Sequence, residues 1–265
     1  MYAFTLERPG SLDEAVKQLA GGARPLAGGQ TLLASMKLRL ADPEHIVDLG
    51  AVPGLADIRR QGDTLHIGAM ARHADVAASP DVQHAIPALA QLAGNIGDRQ
   101  VRAMGTLGGS VANNDPAACY PSAVLALDAT VITNQREIAA DDFFQGMFST
   151  ALHDNELITA IRFPVAQRAA YMKFRQPASR FALVGVFVAE TSSGVRVAIT
   201  GAGNGVFRHA ALEDALNNQF APDAIDSVHI DPDDFSTDLH ASAAYRANLA
   251  KVLTRRAVAR CLGQN

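Results

Sequence analysis

Two short glycine pairs are the features of this chain best suited to chemistry. The first lies in Ala27-Gly28-Gly29-Gln30-Thr31 and the second in Thr106-Leu107-Gly108-Gly109-Ser110. Because glycine has no Cβ, the backbone at each pair can approach a ligand closely and present successive N–H groups to an anion such as a diphosphate. A single pair of this kind more often marks a tight turn between two elements. Two copies beside hydroxyl residues favour a shared role in binding.

The other side chains give little support to a different kind of site. The eight histidines include no pair at metal-ligand spacing such as i, i+4 on a helix, and Cys119 and Cys261 alone cannot hold zinc or an iron–sulfur cluster. No G-x-S-x-G motif for acyl transfer is present, and adjacent carboxylates such as Asp141-Asp142 are expected to face water. Two anion-binding turns with so few reactive side chains favour a protein that binds an organic cofactor and lets it carry out the reaction.

The composition narrows the class of protein further. With 265 residues, 48% hydrophobic and 19% charged, the chain has the profile of a globular protein. A net charge of −4 gives no electrostatic case for a nucleic-acid partner. No apolar run is long enough to span a bilayer, and the first residues lack the pattern of a signal peptide. We therefore expect a cytoplasmic protein without a membrane span.

The first glycine segment is predicted to lie between a strand and a helix. Ser11 and Glu14 form a capping-box pattern that starts an earlier helix. Short strands are expected at residues 24–27 and 46–49, with a second helix beginning after Thr31. The unit resembles the start of a nucleotide-binding fold, although it lacks the G-x-G-x-x-G spacing of a Rossmann unit.

The second glycine segment follows a long polar turn, residues 97–105, in a mixed helical and β region. The pattern predicts a hairpin at 58–60 and 64–68, helices at 72–78, 87–93 and 121–127, and strands at 129–133 and 156–163.

The last third of the chain is predicted to form a separate unit. Three strands are expected at 170–175, 182–190 and 194–200, followed by helices, the last at 242–262. Turn-like sequences at Pro53-Gly54 and Ala166-Gln167-Arg168 suggest domains at residues 1–54, 55–165 and 166–265. The predicted class is α+β.

The glycine segments and their neighbours resemble one particular family, the FAD-binding medium subunits of molybdenum hydroxylases, which includes the flavoproteins of carbon monoxide dehydrogenase and xanthine dehydrogenase. The similarity covers nearly the whole chain in the right order. The matching segments are Ala27–Thr31, Gln100–Ser110, Asp115–Ala118, Phe143-Phe144, Glu156–Pro164 and Tyr171–Ala182.

That resemblance implies a two-subdomain FAD-binding module of the PCMH type, followed by a C-terminal domain with a three-stranded antiparallel sheet and helices. The two glycine segments would come from different subdomains and hold the FAD diphosphate between them. No catalytic side chain and no metal ligand is implied for this chain. The implied cofactor-binding residues are Ala27, Gly28, Gly29, Gln30, Thr31, Thr106, Leu107, Gly108, Gly109, Ser110, Asp115, Lys173 and Phe181.

Two of the implied positions, Lys173 and Phe181, concern the flavin end of the cofactor. Lys173 would lie near the flavin, where a cation stabilises the reduced, anionic form and raises its potential. Phe181 would lie against the isoalloxazine ring, with a core aromatic before a buried strand as the alternative. Cys119 stands where relatives commonly carry aspartate.

The resemblance also implies a function. The chain would be an oxidoreductase subunit whose FAD takes electrons from the 2Fe-2S clusters of an iron–sulfur subunit, which receives them from a molybdopterin-binding large subunit. The three chains would form a heterotrimer that dimerises, and the electrons would pass to NAD, oxygen, a quinone or another acceptor. Two alternatives remain: a self-sufficient FAD oxidoreductase of the same fold, and a non-catalytic interaction subunit that has lost FAD.

Overall fold

The structure, a computed structural model, describes residues 1–264 and begins with a small parallel sheet that carries the first glycine segment. Strand β3 is central, with β1 and β2 parallel to it on either side. The elements of this unit are β1 (Thr5–Glu7), α1 (Leu12–Ala20), β2 (Arg24–Leu26), α2 (Leu32–Lys37) and β3 (His45–Asp48).

Helix α1 begins where the capping pattern predicts. The Ser11 hydroxyl accepts a hydrogen bond from the Glu14 amide at 3.2 Å, while the Glu14 carboxylate accepts from the Gly10 amide at 2.9 Å, one residue before the cap. Helix α2 is shorter than its apolar pattern suggests, since Arg39 has a left-handed backbone with φ of 60°. Leu40, which lies beyond the end of α2, is exposed.

The second sheet is antiparallel, with strand order β4-β5-β10-β6-β7. Its predicted hairpin and its strands β6 and β10 are confirmed. Residues 58–164 form β4 (Ile58–Gln61), β5 (Thr64–Gly68), α3 (His73–Ala78), α4 (Pro80–Ala85), α5 (Pro87–Gly94), α6 (Arg99–Met104), α7 (Leu107–Asn113), α8 (Tyr120–Ala126), β6 (Thr130–Thr133), β7 (Glu137–Ala139), α9 (Ala140–Phe143), β8 (Phe144–Gly146), β9 (Ser149–Thr150) and β10 (Ile158–Pro164).

The segment around the second glycine pair is helical, so the prediction of a long polar turn was wrong. Asp98 caps α6 by accepting a hydrogen bond from the Val101 amide at 2.8 Å. Thr106 caps α7, whose first turn contains the glycine pair, by accepting from the Gly109 amide at 3.2 Å. Tertiary packing overrides the low helix propensity of glycine here.

The C-terminal unit has an antiparallel sheet covered by two helices. The three predicted strands are confirmed as β11 (Arg168–Arg175), β12 (Ala182–Thr191) and β13 (Gly194–Thr200), and a two-residue strand, β14 (Phe207–Arg208), adds a fourth at the edge. Helices α10 (Ala210–Asn218) and α11 (Ala243–Cys261) follow, and α11 confirms the predicted last helix.

This sheet packs on both faces, which fixes it against the second unit. Val186, Val188 and Val197 pack in a core with α10 and α11. Tyr171 and Phe187, on the opposite face, belong to the core that also contains α5 and α8. Strand β11 is thereby held beside α5 and α8, which brings Lys173 to its neighbours in the second unit.

Each of the three main sheets lies within one of the predicted domain ranges, whose boundaries stay a prediction. None of the helices in residues 1–264 combines the length and apolar character that a bilayer span requires.

Candidate cofactor site

The structure brings the two glycine segments into direct contact. An added Cβ at Gly28 would lie 2.0 Å from the carbonyl oxygen of Met104 and 2.7 Å from the Cα of Gly105. An added Cβ at Gly109 would lie 3.4 Å from the Cβ of Ala27. Segments from two different sheets therefore meet at a spacing that the absence of side chains permits.

The first segment offers its backbone amides to a ligand. Among the described residues, no acceptor is found for the amides of Gly28, Gly29, Gln30 and Thr31, which lie in half-buried or exposed positions. Gly29 turns the chain with φ of +69°, and the Thr31 hydroxyl makes no capping bond. Successive free amides in such a turn form a concave site for an anion.

The second segment uses its amides within the protein. The Leu107 amide donates to the Ala71 carbonyl at 2.9 Å, and the Gly108 amide donates to the Ala69 carbonyl at 2.8 Å. An added Cβ at Gly108 would lie 2.5 Å from that of Ala69. These bonds leave the segment mainly side-chain hydroxyls for a ligand, from buried Thr106 and half-buried Ser110. The two segments, expected to act alike, differ in what they can donate.

A buried histidine that the sequence analysis did not identify lies beneath this contact. The His73 amide donates to the Gly105 carbonyl at 2.9 Å, and an added Cβ at Gly105 would lie 2.5 Å from His73 Nε2. Burial, with a smaller contribution from the Arg102 charge, lowers the pKa of His73 to about 4. The imidazole is therefore neutral at neutral pH, and its ring packs 5.3 Å from that of Tyr120.

Lys173 contacts Cys119, the residue before Tyr120. Its Nζ donates to the Asn95 carbonyl at 3.2 Å and contacts Cys119 Sγ at 3.3 Å. Arg175, which shares its face of β11, donates to the Asn95 side chain. Arg102 donates to the carbonyls of Ile96 at 2.9 Å and Gly97 at 3.2 Å. Three cations thus converge on the loop after α5, a grouping that no spacing in the sequence indicated.

Asp115 shapes the turn that connects α7 to Cys119. Its carboxylate accepts a hydrogen bond from the Ala117 amide at 2.8 Å. The Pro116 carbonyl in this turn accepts from the Gly201 amide at 2.7 Å and the Thr200 hydroxyl at 2.8 Å. Asp115 thus holds the turn that docks on β13, and a role toward the cofactor stays a prediction.

Phe181 precedes β12 and has an exposed ring. Its side chain is 48% exposed, so it is not a core aromatic. Its amide donates to the Ser179 hydroxyl at 3.3 Å, within the short loop between β11 and β12. An exposed ring is available to a planar ligand, and its contact with the flavin stays a prediction.

An open cleft of about 430 Å³ lies elsewhere, along β14 and the start of α10. Arg208 in its wall is paired with Asp141 at 3.1 Å and Glu213 at 2.7 Å, so its charge is satisfied within the protein. Within residues 1–264, no cluster of three or more His, Cys, Asp or Glu side chains could hold a metal ion.

The fold and the paired glycine segments define an α+β protein built to hold a cofactor with an anionic portion, and comparison with known proteins identifies the family. Residues 2–166 match the family described as FAD binding domain in molybdopterin dehydrogenase. The chain is 34% identical, over 97% of its length, to the carbon monoxide dehydrogenase medium chain of Hydrogenophaga pseudoflava, 98% of which is covered. It is also 34% identical, over 97% of its length, to the nicotine 6-hydroxylase medium subunit of Paenarthrobacter nicotinovorans, 96% of which is covered.

The solved structures agree in fold. The structure described as reconstituted CO dehydrogenase from Oligotropha carboxidovorans includes a chain that superposes with a TM-score of 0.92 at 32% identity, with 100% of both chains covered. This protein belongs to the family of FAD-binding medium subunits of molybdenum hydroxylases. It is accordingly an oxidoreductase flavoprotein subunit, and its cofactor is FAD.

Proposed function

We propose that this chain is the electron-transfer subunit of a molybdenum hydroxylase complex. Its partners are an iron–sulfur subunit with 2Fe-2S clusters and a molybdopterin-binding large subunit, in a heterotrimer that dimerises. The relatives support this assembly, since they are named as a medium chain of carbon monoxide dehydrogenase and a medium subunit of nicotine 6-hydroxylase. Electrons enter from the iron–sulfur partner and leave to NAD, oxygen, a quinone or another acceptor.

One observation carries the proposal. The amides of residues 28–31 are free, and the partly exposed turn that contains them packs directly against the second glycine segment. A diphosphate needs several converging donors and no nearby carboxylate. The amides of Gly28 to Thr31 supply the first requirement, and the hydroxyls of Thr106 and Ser110 add to it from the opposite segment.

The remaining residues of the site act on the other end of the cofactor. Bound FAD supplies the redox chemistry, because its flavin can take up electrons singly and release them singly or in pairs. Lys173 offers an ammonium charge, and Phe181 offers an exposed ring for stacking. Neutral His73 packs under Gly105, where it supports the backbone that carries the second glycine segment.

The assembly is tested by isolating the affinity-tagged chain from its native host. We expect two further chains to co-purify, together with FAD, iron and molybdenum in fixed ratios to the tagged chain. FAD with no iron or molybdenum would instead favour the self-sufficient oxidoreductase. Partner chains without FAD would favour an interaction subunit that has lost its cofactor.

A further inference from the structure

Lys173 is held in place by neutral groups. Its Nζ lies 3.2 Å from the Asn95 carbonyl oxygen and 3.3 Å from Cys119 Sγ, and the side chain is half-buried. Arg102 and Arg175 bind the neighbouring carbonyl and amide oxygens of the same loop. Across residues 1–264, no ion pair joins a carboxylate to any of these three cations. None of the three therefore has an ion-pair partner among the described residues.

Cys119 is buried, and hydrogen bonds hold its backbone and that of the preceding residue. It is 5% exposed and immediately precedes α8, and its carbonyl accepts the Ser122 hydroxyl at 2.8 Å. The preceding Ala118 carbonyl accepts the Thr200 hydroxyl at 2.7 Å. The thiol therefore has a defined position between α8 and β11, and the ammonium group rests against it.

A continuous set of contacts connects this thiol to the glycine segments. The Gly105 backbone packs on His73, the His73 ring packs on that of Tyr120, and Tyr120 is the residue after Cys119. The buried hydroxyl of Tyr120 has no hydrogen-bond partner among the described atoms. Lys173 is thus separated from the second glycine segment by one packed layer.

The chemical nature of residue 119 decides how much charge Lys173 presents. A thiol is a weak, neutral acceptor, so it orients the ammonium group without cancelling its charge. A carboxylate at the same position would form a partly buried ion pair with Lys173, and its attraction would oppose the field of the ammonium at the cofactor. Residue 119 is the only side chain in the described structure that Lys173 Nζ contacts through a hydrogen bond.

We infer that Cys119 is a positioning residue that holds Lys173 without neutralising it, so that the ammonium charge favours the reduced, anionic flavin. The inference rests on the proposed function, because it concerns the potential of bound FAD. It assigns the neutral thiol a tuning role: the flavin of this chain is more easily reduced than it would be with a carboxylate at residue 119.

The test compares the midpoint potential of bound FAD in full-length variants reconstituted with FAD. Cys119→Ser keeps a small neutral acceptor and is expected to stay within twofold of the wild type in the equilibrium constant for reduction. Cys119→Asp is expected to lower that constant about tenfold, which is about 30 mV for a two-electron couple. Cys261→Ser, on α11, is the matched control for loss of a cysteine. A Cys119→Asp variant within twofold of the wild type, or a Cys119→Ser variant shifted as far as Cys119→Asp, would overturn the inference.

Cys119→Asp places a carboxylate in a buried position, and that variant can fail to fold. Lys173→Gln then provides a second test. The half-buried lysine can be replaced without placing a charge in the core, and the variant is expected to lower the potential in the same direction as Cys119→Asp. An unchanged potential in Lys173→Gln would also refute the tuning role.

A measurement on the FAD-free chain separates this inference from the proposed function. The chain has four lysines, Lys17, Lys37, Lys173 and Lys251, so ¹³Cε-lysine NMR gives few signals. Cys119→Ala is expected to move the Lys173 signal alone. If wild-type protein binds no FAD but this shift is seen, the proposed function fails while the contact stands. If the Lys173 signal does not move, the positioning role fails whether or not FAD binds.

Discussion

Gly28 lies directly against Met104, so that a Cβ added to Gly28 would sit 2.0 Å from the Met104 carbonyl oxygen. Two parts of the chain that are distant in sequence, the loop after β2 and the end of α6, meet at this point. The contact brings the segment with the free amides against the segment that carries the hydroxyls of Thr106 and Ser110. The geometry of the proposed diphosphate site therefore depends on a backbone-to-backbone approach that only glycine allows.

Replacing Gly28 with alanine should separate the two glycine segments. The added methyl group meets backbone atoms that cannot move alone, and overpacking of this kind typically costs about 1–3 kcal/mol. We expect FAD affinity to fall roughly tenfold or more, measured by fluorescence titration of the apo-chain. Gly10→Ala is the matched control, since its added Cβ would meet its nearest atom at 3.8 Å. Equal affinity in the Gly28 and Gly10 variants would refute the proposed role of the contact.

Of the two hydroxyls of the second segment, only that of Thr106 should also stabilise the fold. Thr106→Val removes the acceptor of the Gly109 amide and should destabilise the fold by about 1 kcal/mol, as loss of a helix cap does. Thr106→Ser should restore stability. Ser110→Ala should leave the melting temperature unchanged and weaken FAD binding roughly tenfold, because a hydrogen bond to an anion is lost. A Ser110 variant that binds FAD as tightly as the wild type would exclude that contact.

His73 should make folding stability depend on pH. Its pKa is lowered from the ordinary value of 6.5 to about 4 in the folded protein. Between these two pH values, the unfolded chain therefore binds a proton at His73 that the folded chain does not. Stability should therefore fall by about 3 kcal/mol as pH drops from 6.5 to 4. Urea unfolding across this range should show a shallower pH dependence in His73→Gln than in the wild type. Parallel curves would contradict the buried neutral histidine.

Glu156 should contribute stability in a lower pH range. Its hydrogen bond from Arg136, assisted by the His153 amide and the Thr133 hydroxyl, lowers the pKa of this buried carboxyl to about 2. Its contribution is complete above the ordinary value of about 4.5 and is lost as pH falls from there toward 2. Glu156→Gln should be less stable at neutral pH by roughly 1–3 kcal/mol, and this difference should shrink at about pH 3. A difference independent of pH would assign the loss to packing alone.

Local patterns were sufficient to predict the longer strands of the second and C-terminal sheets and the last helix, but not the short edge strands β7 and β14. Alternation along β10, the continuous apolar run of β12 and the apolar spacing of α11 are set by each segment's own residues. The beginning of α7 was missed because glycine disfavours helices, and its formation depends on Thr106 as a cap and on Ala69 and Ala71 as partners from another segment.

The resemblance led us to expect that the two glycine segments lie together, but not that their amides are used differently. The glycine pairs look alike in sequence, yet one donates its amides to its own protein and the other leaves them free. The cluster of His73, Cys119 and Lys173 forms from α3, the start of α8 and β11. Only the packing of the C-terminal sheet on α5 and α8 brings these residues together, and no sequence spacing encodes it.

Electron transfer from the iron–sulfur partner to the bound flavin can be measured directly. The FAD-loaded chain is mixed without oxygen with its chemically reduced iron–sulfur partner, and the absorbance of the flavin and of the clusters is followed in time. We expect the flavin bands to bleach while the cluster bands return to their oxidised form. Flavin that stays oxidised beside clusters that stay reduced would contradict electron transfer between the two subunits.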